Sequence, residues 1–175
     1  MNSNDLKLNQ IQVIGSHNSY RIHPVQDMFN LMTGLNPELA AELDYGHPSF
    51  DVQFSQHGIR QIEIDVYHDP EGGLFYNQRG NLFIGLPVPS GIEELLDPGL
   101  KVLHFPDIDY RTHYLTFIDA LTAVKTWSDD NPNHIPIFIL VEAKEDGLAN
   151  IYPSLSGFTQ PLPFDRDALD AIDAD

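Results

Sequence analysis

The sequence predicts an α/β fold of the (β/α)8 barrel type, of which these 175 residues supply about the first four βα units. Three observations lead there. Four apolar runs of strand length follow one another at intervals of roughly 40 residues, with helical patterning between them, as βα units do. Each run ends in a polar residue able to do chemistry. Reactive side chains at the carboxyl ends of successive parallel strands are the habit of the (β/α)8 barrel. Four strands amount to half of such a barrel, whose usual size is about 250 residues. The chain therefore reads as one domain over 1–175, the N-terminal half of a barrel, either a fragment or an unusual half-barrel.

Taken in order, the first predicted strand is 11–16, running into His17-Asn18-Ser19-Tyr20. The text over 24–54 is mixed. A short helix is expected over 37–43, with Asn36 as N-cap and Pro37 in its first turn, and a second over 50–56, stopped by Gly58. The second strand, 59–67, carries the pattern on which the prediction turns, Ile62-Glu63-Ile64-Asp65-Val66-Tyr67. Strand side chains repeat every two residues, so Glu63 and Asp65 share one face and Ile62, Ile64 and Val66 the other. A turn at Asp69-Pro70-Glu71-Gly72-Gly73 opens a Gly/Pro-punctuated loop through Gly99. The third strand is 101–105, ending at His104. The clearest helix is 114–129, with Leu115, Ile118, Leu121 and Val124 at helical spacing. The fourth strand, 135–141, is almost uniformly apolar, as in a parallel sheet covered on both faces, and leads into Glu142-Ala143-Lys144. Pro161-Leu162-Pro163 reads as a linker before an amphipathic helix from Arg166.

Composition narrows the function. Nine basic residues against 26 acidic give a net charge of −17. That balance opposes nucleic-acid binding and simple adhesion to anionic lipid, whereas a divalent cation would relieve part of it. With no cysteine, disulfides and thiolate metal sites are excluded. The first ten residues lack the positive and apolar regions of a signal peptide, so the chain reads as intracellular or as a mature form. No apolar segment approaches the roughly 20 residues of a membrane-spanning helix.

Two carboxylates on one covered strand face need compensation, because burying each costs several kcal/mol. Glu63, Asp65, Asn18 and Glu142 offer oxygen donors only, the preference of Ca²⁺ or Mg²⁺ rather than zinc. The alternative is a salt-bridge network with Arg60, Arg79 and Lys144. His17 and His104, at two strand ends beside the acidic cluster, suit general acid/base catalysis, although each alone would pass for a polar turn or a core histidine. Glu142 and Lys144 alternate on one face and could equally be a local ion pair. Asp107 and Asp109 read chiefly as loop caps, Tyr67, Tyr110 and Trp127 as packing. The remaining histidines, His23, His47, His57, His68, His113 and His134, read as structural or surface residues, His68 being the one to watch.

Four segments, Gly15-Ser16-His17-Asn18-Ser19-Tyr20, Gln61-Ile62-Glu63-Ile64-Asp65-Val66-Tyr67, Val102-Leu103-His104 and Val141-Glu142-Ala143-Lys144, resemble the motifs of the phosphatidylinositol-specific phospholipase C superfamily. The match is closest to its bacterial calcium-dependent branch and covers about residues 10–150. The resemblance implies a TIM barrel that cleaves phosphatidylinositol to diacylglycerol and a cyclic inositol phosphate. Carried over by motif, Asn18, Glu63, Asp65 and Glu142 would hold Ca²⁺, with Mg²⁺ the second choice. His17 would stabilise the transition state, His104 would protonate the departing oxygen, Glu63 or Glu142 would act as base, and Lys144 would hold phosphate or inositol hydroxyls. The partners implied are a phospholipid or phosphodiester substrate, transient contact with a membrane surface, and a second chain or C-terminal half that completes the barrel. Members of this family are often secreted, which would place a mature form outside the cell. Glycerophosphodiester phosphodiesterases share the order His, Glu-x-Asp, His, Glu-x-Lys, but typically follow the first His with Arg-Gly where Asn18-Ser19 stand here. A catalytically inactive, metal-binding truncated barrel is the reading from a different class.

Overall fold

The computed structural model describes residues 7–151 and 157–174; the signal-peptide reading of the first ten residues rests mostly on positions outside them. At the centre is β1 (Gln61–Tyr67), six of whose seven residues are buried. It lies between β2 (Lys101–Val102) and β3 (Phe138–Ala143) in a three-stranded sheet of order β2-β1-β3. The period-2 pattern predicts the two faces of β1 correctly. Ile62, Ile64 and Val66 join Phe50, Phe54, Phe117, Ala120 and Trp127 in the main core. The helices that supply those residues are α3 (Phe50–Gln56) and α4 (Phe117–Asp130), and they cover this face alone. The opposite face of β1, with Glu63, Asp65 and Tyr67, is covered by loops.

The sheet is mixed, not parallel throughout, and a barrel is not formed among the described residues. β1 and β3 are parallel, as expected, and their register sets Asp65 opposite Glu142. β2 is antiparallel to β1, pairing Val66 with Val102 and Tyr67 with Lys101. It spans two residues rather than 101–105 because the chain peels away into a turn closed by reciprocal backbone hydrogen bonds between Phe105 and Asp109, with Asp107 in the left-handed region at φ +73°. The first expected strand, 11–16, makes only an isolated parallel bridge, Gly15 to Gln61. It nevertheless lies along β1, where Ser16 N–H donates to Gln61 O and Ser19 N–H to Glu63 O.

The helices 37–43 and 50–56 appear as α2 (Pro37–Glu42) and α3; the Asn36 side chain accepts from Leu39 N–H as the predicted N-cap. Gly58 follows α3 at φ +67°, a conformation that costs glycine little. An additional helix, α1 (Gln26–Leu35), occupies the stretch that reads as mixed and packs Met28 and Met32 against Ala40. α4 begins three residues later than predicted, at a capping box between Thr116 and Asp119. Its buried stripe is Phe117, Ala120 and Trp127, so the predicted contact residue Ile118 faces solvent. Two 3-10 segments (Arg79–Ile84 and Glu93–Leu96) order the long loop. α5 (Leu148–Ile151) and α6 (Arg166–Ala174) follow β3. β3 itself departs from expectation: it starts at Phe138 and leaves Leu140 53 % exposed. Helices cover one face of the sheet, and among the described residues no strand pairs with the far edge of β3.

Candidate active site

The carboxylates meet because of register. Asp65 and Glu142 are partners across β1 and β3, and Glu63 lies two residues back on the same face of β1. One oxygen from each of the three falls within 4.8 Å of the others. Asp65 is fully buried, Glu63 nearly so, and Glu142 is open to solvent. Asn18 joins them from the loop along β1. Its backbone is left-handed at φ +49°, tolerable for Asn, and this turns its N–H onto Glu63 Oε2 at 3.0 Å.

The Asn18 amide can sit in two orientations. In one, Nδ2 donates to Tyr45 Oη at 2.9 Å, and Oδ1 faces the Asp65 carboxylate oxygens at 3.2 Å. In the other, Nδ2 donates to Asp65 and Oδ1 accepts from Tyr45. The first gathers the Asn18 oxygen with three carboxylates, a set that repels itself unless a cation lies among them. The second satisfies Asp65 without one. An all-oxygen set with a buried aspartate suits a hard divalent cation, and the residues present fit Ca²⁺.

Lys144 provides part of the compensation. Its Nζ lies 3.5 Å from Asp65 Oδ2 and 3.6 Å from Glu142 Oε1. Even so, burial lifts Asp65 from an ordinary value of 3.8 to about 6; Lys144 opposes the shift and Glu142 adds to it. Burial, then the neighbouring Asp65 charge, also holds the Tyr20 phenol well above its usual value.

The two histidines are held differently. His17 is largely exposed, with Nε2 3.4 Å from Glu63 Oε2 and Nδ1 3.3 Å from Tyr45 Oη. His104 is mostly covered. Its Nδ1 donates to Asp109 Oδ2 at 2.7 Å, since a carboxylate can only accept, and Nε2 has no hydrogen-bond partner among the described residues. Tyr67 fixes the backbone there by donating to His104 O at 3.3 Å and Asp146 O at 2.9 Å. Asp109 Oδ2 also accepts from Arg21 Nε at 2.7 Å.

Of the residues predicted from sequence, Asn18, Glu63, Asp65, Glu142, Lys144 and His17 are therefore brought together. His104 stands close enough for its charge to act on Asp65. The salt-bridge alternative keeps only Lys144 as a partner. Arg60 donates to Phe54 O and Ile59 O and lies over Trp127, and Arg79 lies beside Gly157. His68 packs near Phe164, away from the cluster. Asp107 holds loops as expected of a cap, accepting from Arg79 N–H and Thr159 N–H; Asp109 instead serves His104. Tyr67 does more than pack. Arg21 and Tyr45 were not singled out from sequence. The available signal for Arg21 was its position three residues after Asn18 in a chain with only nine basic residues; nothing local marks Tyr45.

Comparison with curated proteins and with solved structures returned no match. A protein-family model described as phosphoinositide phospholipase C, Ca²⁺-dependent, matches residues 6–175. That span contains all four motif segments and every residue of the cluster, so the chain belongs to the Ca²⁺-dependent phosphoinositide phospholipase C family.

Proposed function

We propose that the protein is a Ca²⁺-dependent phosphoric diester hydrolase/lyase that cleaves phosphatidylinositol-like phosphodiesters to diacylglycerol and a cyclic inositol phosphate. The observation that carries this reading is the convergence of Asn18, Glu63, Asp65 and Glu142 on one face of the sheet, with His17 and His104 held by separate partners, Tyr45 and Asp109.

These four residues would hold Ca²⁺. Bound there, the ion would lower the pKa of the substrate hydroxyl and offset charge on the phosphoryl oxygens. The chain's own groups account for the proton movements. Glu63, or Glu142, takes the proton of the inositol 2-hydroxyl as its oxygen bonds to phosphorus. His104, protonated at Nε2, gives a proton to the diacylglycerol oxygen as the phosphorus–oxygen bond breaks. His17, beside Glu63, donates to a phosphoryl oxygen in the crowded transition state. Lys144 holds a phosphate oxygen or an inositol hydroxyl.

The test offers phosphatidylinositol and glycerophosphocholine side by side with Ca²⁺. Turnover of phosphatidylinositol, with a cyclic inositol phosphate among the products, is expected. Turnover of glycerophosphocholine alone would replace this reading with glycerophosphodiester hydrolysis. Ca²⁺ binding without turnover of either would leave a metal-binding module.

A further inference from the structure

Arg21 is fully buried and takes no part in the proton movements above. Its guanidinium divides its donors. Nε reaches Asp109 Oδ2 at 2.7 Å, Nη2 reaches Leu43 O at 3.0 Å, and Nη1 donates to Tyr45 O. The guanidinium carbon also lies 4.6 Å from the centre of the Tyr45 ring. Two of these three branches go on to a histidine: Asp109 to His104 Nδ1, and Tyr45, through its hydroxyl, to His17 Nδ1.

A buried ion pair kept for stability alone would use both carboxylate oxygens in a bidentate fork, and even then would add little over an apolar replacement. Here both donors, Arg21 Nε and His104 Nδ1, fall on Oδ2, while Asp109 Oδ1 is buried with no hydrogen-bond partner among the described residues. Arg21's other donors hold the loop carbonyls on either side of Asp44, the loop that places Tyr45 over His17 and Asn18. This geometry favours orientation of the imidazoles over strength of the pair.

We propose that Arg21 is a positioning residue that sets both histidines at once, fixing His104 through Asp109 with Nδ1 protonated and Nε2 toward the substrate, and fixing His17 through Tyr45. The assignment of effects on turnover rests on the phosphodiesterase reading above; the imidazole geometry does not.

The test therefore has two arms. Nitrogen-15 NMR of His104 in the wild-type protein reads its neutral tautomer without any need for activity. The expected tautomer carries its proton on Nδ1; a proton on Nε2 instead would overturn the proposal, since Asp109 could not then accept from Nδ1. In the second arm, Asp109→Asn and Tyr45→Phe are assayed for kcat and KM, with Ca²⁺ affinity measured alongside. Asp109→Asn is expected to lower kcat by about 100-fold, and Tyr45→Phe, which keeps the ring under Arg21, by about 10-fold, the range seen when groups supporting a site are removed. KM and Ca²⁺ affinity should move less than about threefold. Folded variants with unchanged kcat would overturn the proposal. If the wild type turns over no phosphodiester, the functional reading fails, and the tautomer alone decides whether Asp109 sets His104.

Discussion

The two sides of the acidic cluster are built to different standards. On the β1 side, Glu63 and Asp65 are buried, Glu63 receives Asn18 N–H, and the flanking His104 is tied through Asp109 to a fully buried Arg21. On the β3 side, Glu142 is exposed and pairs with Lys144, and the strand leaves Leu140 in solvent. The difference teaches where geometry is stored. β1 and its loops hold the buried half of the cluster, and β3 brings Glu142 from a strand that, among the described residues, is paired on one side.

The predictions press on that contrast. The largest effect is expected on the buried side: His104→Ala should reduce kcat on phosphatidylinositol by about 10²–10⁴-fold, the usual worth of a positioned acid, with Ca²⁺ affinity unchanged in calorimetry. The next concerns pH in metal-free protein. Asp65 binds its proton more tightly folded than unfolded, about 6 against 3.8. Its contribution therefore favours the folded state below about pH 4 and is lost as pH rises to about 6, on the order of 3 kcal/mol at 1.36 kcal/mol per unit. Urea midpoints in chelator across pH 4–7 should show that fall. Asp65→Asn should remove it, and an identical slope in the two proteins would contradict the buried ionised carboxylate.

A smaller effect separates the two sides directly. Asp65→Asn should weaken Ca²⁺-dependent thermal stabilisation by at least about 100-fold in midpoint concentration, and Glu142→Gln by about 10-fold, as ligands on a rigid and an open arm should differ. Equal losses would mean that β3 is as firmly held as β1. Smallest is a difference in hydrogen exchange: amides of β3 should exchange at least about tenfold faster than those of β1, since strands with fewer buried contacts open first.

How much was legible in the sequence follows from the same division. The alternation Ile62-Glu63-Ile64-Asp65-Val66 placed two metal-type carboxylates on one face and three core residues on the other, because a period of two leaves no choice once one face is buried. Asn36 and Pro37 marked the start of α2 by local chemistry. Direction and cover were not legible in this way. Lys101-Val102 carries no mark of running antiparallel; its partner is chosen by a loop of some thirty residues closing back on β1, and loop closure leaves no periodic trace. The apolar run ending in Glu142 read as doubly covered, yet apolarity records what a strand can bury and not what lies against it. Arg21 and Tyr45 escaped for a similar reason: their roles exist only after residues 18, 21, 45, 104 and 109 converge.

The most direct test of the central claim, that these oxygens form the metal centre of a phosphodiesterase, is a calorimetric Ca²⁺ titration of the wild type and of Glu63→Ala, with inositol phosphate release followed in the same samples. A single Ca²⁺ site and turnover are expected in the wild type, both lost in the variant. A wild type that binds no Ca²⁺, leaving the compensation of Asp65 to Lys144, the Tyr20 hydroxyl and Asn18 Nδ2, would contradict that claim.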